Sequence, residues 1–409
     1  MSINKKQEDQ MTKIFENIDR ICQINTERVL ASFRNNRVSE AMLHGTTGYG
    51  YDDRGRDVLD AIFAEVFGAE DALVRHTFVS GTHTLSTALF GVLRPGDTIL
   101  SVTGQPYDTL CETFGITGQA GNGSLKDFGV NYKEIDLDEN GEPQIELMKK
   151  MIKEDPSVKL VFMQRSRGYT ARQTLTIEQI ENVAKSAKSV RDVIVFTDNC
   201  YGEFVREKEP TAVGVDLMAG SLIKNPGGGL ARTGGYICGR KDLVELCAYR
   251  LTAVGIGKEC GATLDELRVM FQGFFMAPHI VAQALKTAVY AAKKMADAGF
   301  TVSPRYDEQR EDIIQTVTFG NAEDLLAFCR GIQHGSPVDS FVTPEPWAMP
   351  GYDCDVVMAA GGFISGSSIE LSADAPVKDP YIAYMQGGLT FESGKVAVDT
   401  ALKYILESK

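Results

Sequence analysis

The sequence predicts an α/β protein with a mostly parallel central sheet in a large domain, followed by a smaller α+β C-terminal domain. Two observations lead there. From about Ala72 to Gly239, short β-branched or apolar runs alternate with amphipathic segments, as in strands joined by covering helices. After Thr263 a long helical pattern gives way to scattered strands and two further helices. A length of 409 residues allows two or three compact units, and 43% hydrophobic with 24% charged residues is ordinary for a globular chain. The expected division is an N-terminal arm and helix over 1–60, lying either on the later core or on a partner subunit, a large domain over 61–262, and a linking helix with the smaller domain over 263–409.

Taken in order, Met11, Ile14, Phe15, Ile18, Ile21, Cys22, Val29 and Phe33 recur at three- and four-residue steps and predict an amphipathic helix. Leu43–Asp57, rich in Gly, Tyr and Arg, reads as a loop, either an ordinary surface loop or one with a function. Strands are expected at Thr98–Val102, Lys159–Met163, Val193–Thr197, Leu217–Ser221 and Gly235–Cys238. Helices are expected near Thr82–Val92, Tyr107–Phe114, Glu146–Lys153, Ile177–Ser189 and Lys241–Leu251, with Thr176 and Gln179 forming a capping box. The helical pattern from Thr263 to about Ala298 contains Pro278, which should kink or divide it. Beyond it, Ile313–Phe319, Val356–Ala360 and Ser368–Leu371 read as strands, Ala322–Cys329 and Lys395–Leu406 as helices, and Pro337–Pro350 as a structured loop.

Composition narrows the chemistry. With 42 Lys and Arg against 55 Asp and Glu, the net charge is −13, which disfavours nucleic acid and anionic membrane as partners. The eight cysteines lack the close paired spacings of a zinc ribbon or a disulfide framework, and the five histidines are dispersed with no HExxH, so no metal centre is expected. Met1–Gln10 is polar, and no run approaches the roughly 18 apolar residues of a membrane span, so a cytoplasmic location is expected.

The most informative stretch is 193–239, which reads strand, acid, turn, strand, lysine. Asp198 closes one predicted strand, and ligands of open α/β sheets collect beyond the carboxyl ends of strands. Lys224 follows a second strand, beside Asn225-Pro226 and glycines 227–229, where backbone can approach a ligand closely. A structural Asp198–Lys224 ion pair would satisfy both charges. The sharper reading places an aromatic cofactor between them. Pyridoxal phosphate needs a lysine amine, an acid opposite its ring nitrogen, a phosphate cradle and usually a stacking ring. Ser80, Gly81 and Thr82, just before the apolar-periodic run 85–93, supply either a simple helix cap or that cradle. His83 stands beside it as a further cofactor contact, and Tyr107, just after the strand Thr98–Val102, is placed to stack or donate a proton.

At these residues the chain resembles the fold-type I pyridoxal-phosphate enzymes of the Cys/Met-metabolism family, nearest to its methionine γ-lyase-like, aluminium-resistance branch, among the relatives of cystathionine β-lyase. Ser221-Leu222-Ile223-Lys224 stands where that family carries Ser-x-x-Lys. The resemblance implies that Lys224 anchors the cofactor and acts as base, Ser221, Gly81 and Thr82 contact its phosphate, Asp198 pairs with its ring nitrogen and Tyr107 stacks on it. It further implies a homo-oligomer, dimer or tetramer, whose active site is shared: Tyr51 and Arg54 are the residues expected to reach the neighbouring subunit's phosphate site, with Tyr51 or Tyr107 as a proton donor.

The chain also departs from the family. Where the better-known lyases carry Asn-Pro, it has Gln164-Arg165-Ser166-Arg167-Gly168-Tyr169 followed by Arg172, and Pro380–Thr390 lacks the family's C-terminal arginine. Arg165, Arg167 and Arg172 are therefore expected either to hold the substrate carboxylate or to be solvated surface charges. Ser221-x-x-Lys224 also fits the penicillin-recognising enzymes, but Thr197-Asp198-Asn199 precedes it in the wrong order; Gly255–Lys258 lacks the flanking residues of a P-loop. The expected activity is elimination of a thiol from a sulfur amino acid, giving a 2-oxo acid and ammonia. An aminotransferase and a non-catalytic, stress-related pyridoxal-phosphate protein are the alternatives.

Overall fold

The structure is a computed structural model describing residues 2–170, 172–349 and 354–408, with side chains from residue 10 onward. The chain forms two compact units, Arg28–Leu222 with Thr233–Phe271, and Met1–Glu27 with Ile223–Arg232 and Gln272–Lys409.

The first unit is built on seven strands: β1 (Asp71–Arg75), β2 (Thr98–Ser101), β3 (Asn131–Glu134), β4 (Val158–Gln164), β5 (Ile194–Asp198), β6 (Leu217–Ser221) and β7 (Gly235–Gly239). Their order is β1-β7-β6-β5-β4-β2-β3, and only β7 runs against the others. Both faces of the sheet are buried, which explains the continuous apolar strands. Leu160, Phe162, Ile194 and Phe196 enter one core, while the alternate residues Val161, Met163 and Val195 enter the other. The helices of this unit include α2 (Arg54–Phe67), α3 (Gly81–Val92), α4 (Asp108–Phe114), α5 (Ile145–Glu154), α6 (Ile177–Val190) and α7 (Lys241–Leu251). The capping box of α6 forms as its sequence implies, Thr176 Oγ1 accepting from Gln179 N at 3.0 Å and Gln179 Oε1 from Thr176 N at 2.9 Å. An N-terminal helix, α1 (Ser2–Asn35), begins in the other unit and ends in this one, and α8 (Leu267–Asp297) likewise belongs to both.

The second unit carries an antiparallel sheet of β8 (Thr301–Ser303), β9 (Gln315–Thr318), β10 (Trp347–Ala348), β11 (Asp355–Ala360), β12 (Ser372–Pro376) and β13 (Ile382–Gln386), in the order β10-β11-β12-β13-β9-β8. Its core includes Phe328 and Ile332 of α9 (Ala322–His334) and Val398 and Ala401 of α10 (Phe391–Glu407). No helix among the described residues is long and apolar enough to cross a membrane.

Several elements depart from the sequence reading. The supposed loop Leu43–Asp57 ends inside α2, capped by Asp53, whose Oδ1 accepts from Arg56 N at 2.9 Å. Gly55 is tolerated there because its neighbours leave no room for more: a Cβ would fall 2.3 Å from Met42 O. Pro278 does not divide α8, since the buried side chains of Phe274 and Val281 hold the turns on either side of it. The strand expected at Ser368–Leu371 lies instead at 372–376, an alanine-containing segment whose burial on both faces replaces β-branched propensity.

Candidate active site

Parallel pairing gathers chemistry at one edge of the seven-stranded sheet. Gln164 pairs with Asp198 and Asp198 with Ala219, so the carboxyl ends of β4, β5 and β6 bring Gln164, Asp198 and Ser221 to the same side. Asp198 is only 4% exposed, and its Oδ1 accepts from Cys200 N at 3.0 Å. The N-terminus of α3 meets this edge. Ser80 caps the helix, its Oγ accepting from His83 N at 3.1 Å, and the next residue, Gly81, lies against β6. A Cβ built on Gly81 would sit 3.4 Å from Ser221 Cβ and 3.7 Å from Cys200 Sγ.

Ser221 is the telling residue. Its Oγ is buried and makes no hydrogen bond among the described residues. Such a hydroxyl costs roughly 1–3 kcal/mol unless a ligand satisfies it. It stands beside Gly81, the first residue of α3, and the N-terminus of a helix is suited to hold an anion. Helix end, glycine and unsatisfied hydroxyl form a donor set that suits a phosphate.

Tyr107 joins the group through two bonds. Its N–H donates to Gln164 Oε1 at 2.9 Å, and its hydroxyl lies 3.0 Å from Thr82 Oγ1, which in turn lies 3.1 Å from Thr109 Oγ1. His83 Nδ1 accepts from Val79 N at 3.2 Å, which leaves the ring proton on Nε2. Burial lowers the His83 pKa below its usual value, so the ring is neutral at pH 7.

Lys224 belongs to the second unit, three residues beyond Ser221 in the chain. It caps a short 3-10 turn, Asn225–Gly227, and its carbonyl accepts from Gly227 N at 3.2 Å. The glycines after it serve packing rather than ligand approach: a Cβ on Gly228 would fall 2.3 Å from Gly273 O, and one on Gly273 2.2 Å from Gly227 O. Only glycine on both sides lets this turn rest on the backbone of α8.

Tyr51 lies exposed on the loop before α2, stacked on Tyr49 at 5.5 Å between ring centroids, and Arg54 is exposed as the first residue of α2. That loop is rigidly tied. Asp53 Oδ2 accepts from Thr46 Oγ1 and Thr263 Oγ1, each at 2.5 Å, and Arg56 Nη1 donates to Gly50 O at 2.7 Å and Gly261 O at 3.1 Å. Burial works to raise the Asp53 pKa, but these hydrogen bonds outweigh it and hold the carboxyl below its ordinary value.

The three arginines are not solvated surface charges. Arg165 has a side chain with no exposure, its Nη1 donating to Asn199 Oδ1 at 2.8 Å and Gly202 O at 3.1 Å, 3.7 Å from Glu209 Oε2. Arg172 braces its own loop, with Nη2 donating to Gln164 O at 2.7 Å and Ser166 O at 2.6 Å. Arg167 is 2% exposed, and its N–H donates to Thr174 Oγ1 at 3.3 Å. A guanidinium turned into the protein, as in Arg165, is poorly disposed to fork a substrate carboxylate. Sequence reasoning missed Gln164, Asn199, Cys200 and Glu209 as parts of this edge. For Gln164, Asn199 and Cys200 the position just past predicted strands was the available signal; Glu209, well past one strand and well before the next, carried none.

A family model described as methionine gamma-lyase matches residues 1–406. An uncharacterized protein of Bacillus subtilis is 50% identical over 397 residues, 97% of this chain and 94% of its own. Among solved structures, a carbon-sulfur lyase involved in aluminum resistance from Clostridium novyi is 54% identical with a TM-score of 0.94, covering 97% of this chain and 94% of that one. A Listeria monocytogenes protein, named as a candidate cystathionine beta-lyase involved in aluminum resistance, is 51% identical with a TM-score of 0.96 and covers 99% of both chains. A pyridoxal-5'-phosphate-dependent protein of Escherichia coli, 15% identical with a TM-score of 0.63 over 96% of both chains, shares the fold alone.

Proposed function

The chain belongs to the methionine gamma-lyase family, and on that footing we propose that it is a pyridoxal-phosphate-dependent carbon–sulfur lyase. Its reaction consumes one water and releases a thiol, a 2-oxo acid and ammonia from a sulfur amino acid. The observation that carries the reading is the unsatisfied, buried Ser221 Oγ beside Gly81 at the start of α3, on the sheet edge that also bears Asp198. When bound, pyridoxal phosphate supplies an aldehyde for a lysine amine and a ring that withdraws electrons from the substrate Cα.

The chain's own residues do the rest. Lys224 Nζ would hold the cofactor and, once displaced by substrate amine, move the Cα proton. Ser80, Gly81, Thr82 and Ser221 would bind the phosphate, with His83 as an additional contact. Asp198 would keep a proton on the ring nitrogen. Tyr107, its hydroxyl already bonded to Thr82, would stack and protonate the leaving thiolate. In a homo-oligomer, Tyr51 and Arg54 would complete the neighbouring subunit's site, and their exposure, on a tied loop and at the start of α2, supports this. Arg167, on the segment that follows Gln164 at this sheet edge, is the arginine proposed for the substrate carboxylate.

The test is thiol release from cystathionine or methionine by purified protein, with no 2-oxo acid added. Lys224→Ala should abolish turnover together with absorbance near ~420 nm, while Arg167→Ala raises KM more than it lowers kcat. Amino transfer that requires an acceptor would instead mark an aminotransferase, and absorbance without any turnover a non-catalytic protein.

A further inference from the structure

We propose that Arg165 is a positioning residue for Asp198, acting through the turn 198–202 and not through substrate; this rests on the cofactor reading above. The main chain of Arg165 donates to Asp198 O at 3.0 Å, continuing the ladder between β4 and β5 by one bond. Its side chain then passes under the turn and bonds Asn199 Oδ1 at 2.8 Å and Gly202 O at 3.1 Å. Asn199 Nδ2 donates to Glu209 Oε2 at 2.9 Å, and that same oxygen lies 3.7 Å from Arg165 Nη1, so the three side chains close a triangle. Glu209 Oε1 accepts from Phe204 N at 2.8 Å, which anchors the triangle to the chain beyond the turn.

Two features show that the arrangement is specific. A Cβ on Gly202 would fall 2.5 Å from Arg165 Nη1, so the guanidinium occupies space that only a glycine leaves. Arg165 and Glu209 both have side chains with no exposure, and a buried ion pair of this kind is seldom more stable than an apolar pair of similar volume. Stability alone therefore gives little reason for it. What the guanidinium provides is direction: Nη1 alone bonds both Asn199 and Gly202, and so fixes the chain on either side of Cys200, whose N–H holds Asp198 Oδ1 at 3.0 Å. The carboxylate that is to meet the ring nitrogen thus has its main chain, its following residue and its oxygen each constrained.

The experiment compares wild type, Arg165→Met/Glu209→Gln, Arg165→Lys and Lys224→Ala as full-length protein. It measures the pyridoxal-phosphate dissociation constant by absorbance titration, the pH profile of the ~420 nm band, the thermal midpoint and the substrate KM. The double variant removes both buried charges and should melt near wild type, yet bind the cofactor about tenfold more weakly, the scale of one lost charge-assisted hydrogen bond, with a displaced pH profile. Arg165→Lys should recover part of both. If the double variant does not fold, Asn199→Ala, which leaves the ion pair intact, carries the same expectation. Unchanged affinity and pH profile, or a change confined to substrate KM, overturns the proposal while the cofactor reading stands. Absence of a Lys224-dependent band in wild type overturns both.

Discussion

Gly81→Ala separates the fold from the cofactor site. Gly81 is the first residue of α3 at an ordinary backbone angle, and the added methyl would meet Ser221 Cβ at 3.4 Å and Cys200 Sγ at 3.7 Å. Both are normal van der Waals separations, so no neighbour has to move. Replacing glycine by alanine in a compatible conformation stabilises by roughly 0.4–1 kcal/mol through the unfolded chain. The apo protein should therefore melt at the wild-type temperature or slightly above. The same methyl fills the space beside the Ser221 hydroxyl and crowds the N–H groups at the helix start. Loss of one charge-assisted hydrogen bond to phosphate costs about 1.5–3 kcal/mol, or roughly 10- to 150-fold in affinity. Thermal denaturation of cofactor-free protein and a pyridoxal-phosphate titration give the two numbers independently. A variant that melts normally and binds the cofactor as tightly as wild type would refute the phosphate cradle; one that fails to fold would refute the packing.

Two further outcomes follow from charge and capping. Burial depresses the pKa of His83, and of His76, where Glu266 opposes and Arg75 assists the effect. The unfolded chain protonates these rings near pH 6.5, above their folded values, so the stability they contribute is complete above that pH and lost as pH falls toward the folded pKa. Urea midpoints from pH 7.5 to 5 should fall on the acid side, and His83→Asn should flatten the slope; an unaltered slope contradicts the assignment. Asp53→Ala removes the cap of α2 and both threonine contacts, a loss of roughly 2–4 kcal/mol from a cap and charged hydrogen bonds together. A denaturant midpoint matching wild type would show that the loop carrying Tyr51 and Arg54 is tied elsewhere.

The parallel core was legible because strands buried on both faces must be apolar throughout. Leu217–Ser221 fell where the sequence reading placed it, and the central strands at 158–164 and 194–198 within a residue or two. Helix α2 was not read, although Leu59, Ile62, Phe63, Val66 and Phe67 repeat at helical spacing and Gly68 follows in the left-handed conformation. The glycines at 48, 50 and 55 masked its start. Strand β3, with three of four residues exposed, carries no apolar run to find, and β12 is made of small residues whose strand character comes from neighbours on both sides.

The site divides in the same way. Residues that act through backbone position, Gly81 at a helix start and Asp198 at a strand end, could be located from local pattern because the element that places them is itself visible. Arginine is different, since its long side chain lets one residue reach solvent, substrate or the interior from the same backbone. Nothing in Gln164-Arg165-Ser166-Arg167 distinguishes a guanidinium bound for Asn199 from one facing a ligand. That choice is made by Gly202 and Glu209, 37 and 44 residues away, which supply the space and the counter-charge. A buried charge takes its direction from its partner, so the duty of Arg165 becomes readable only once the β4–β5 pairing has set the turn 198–202 against it.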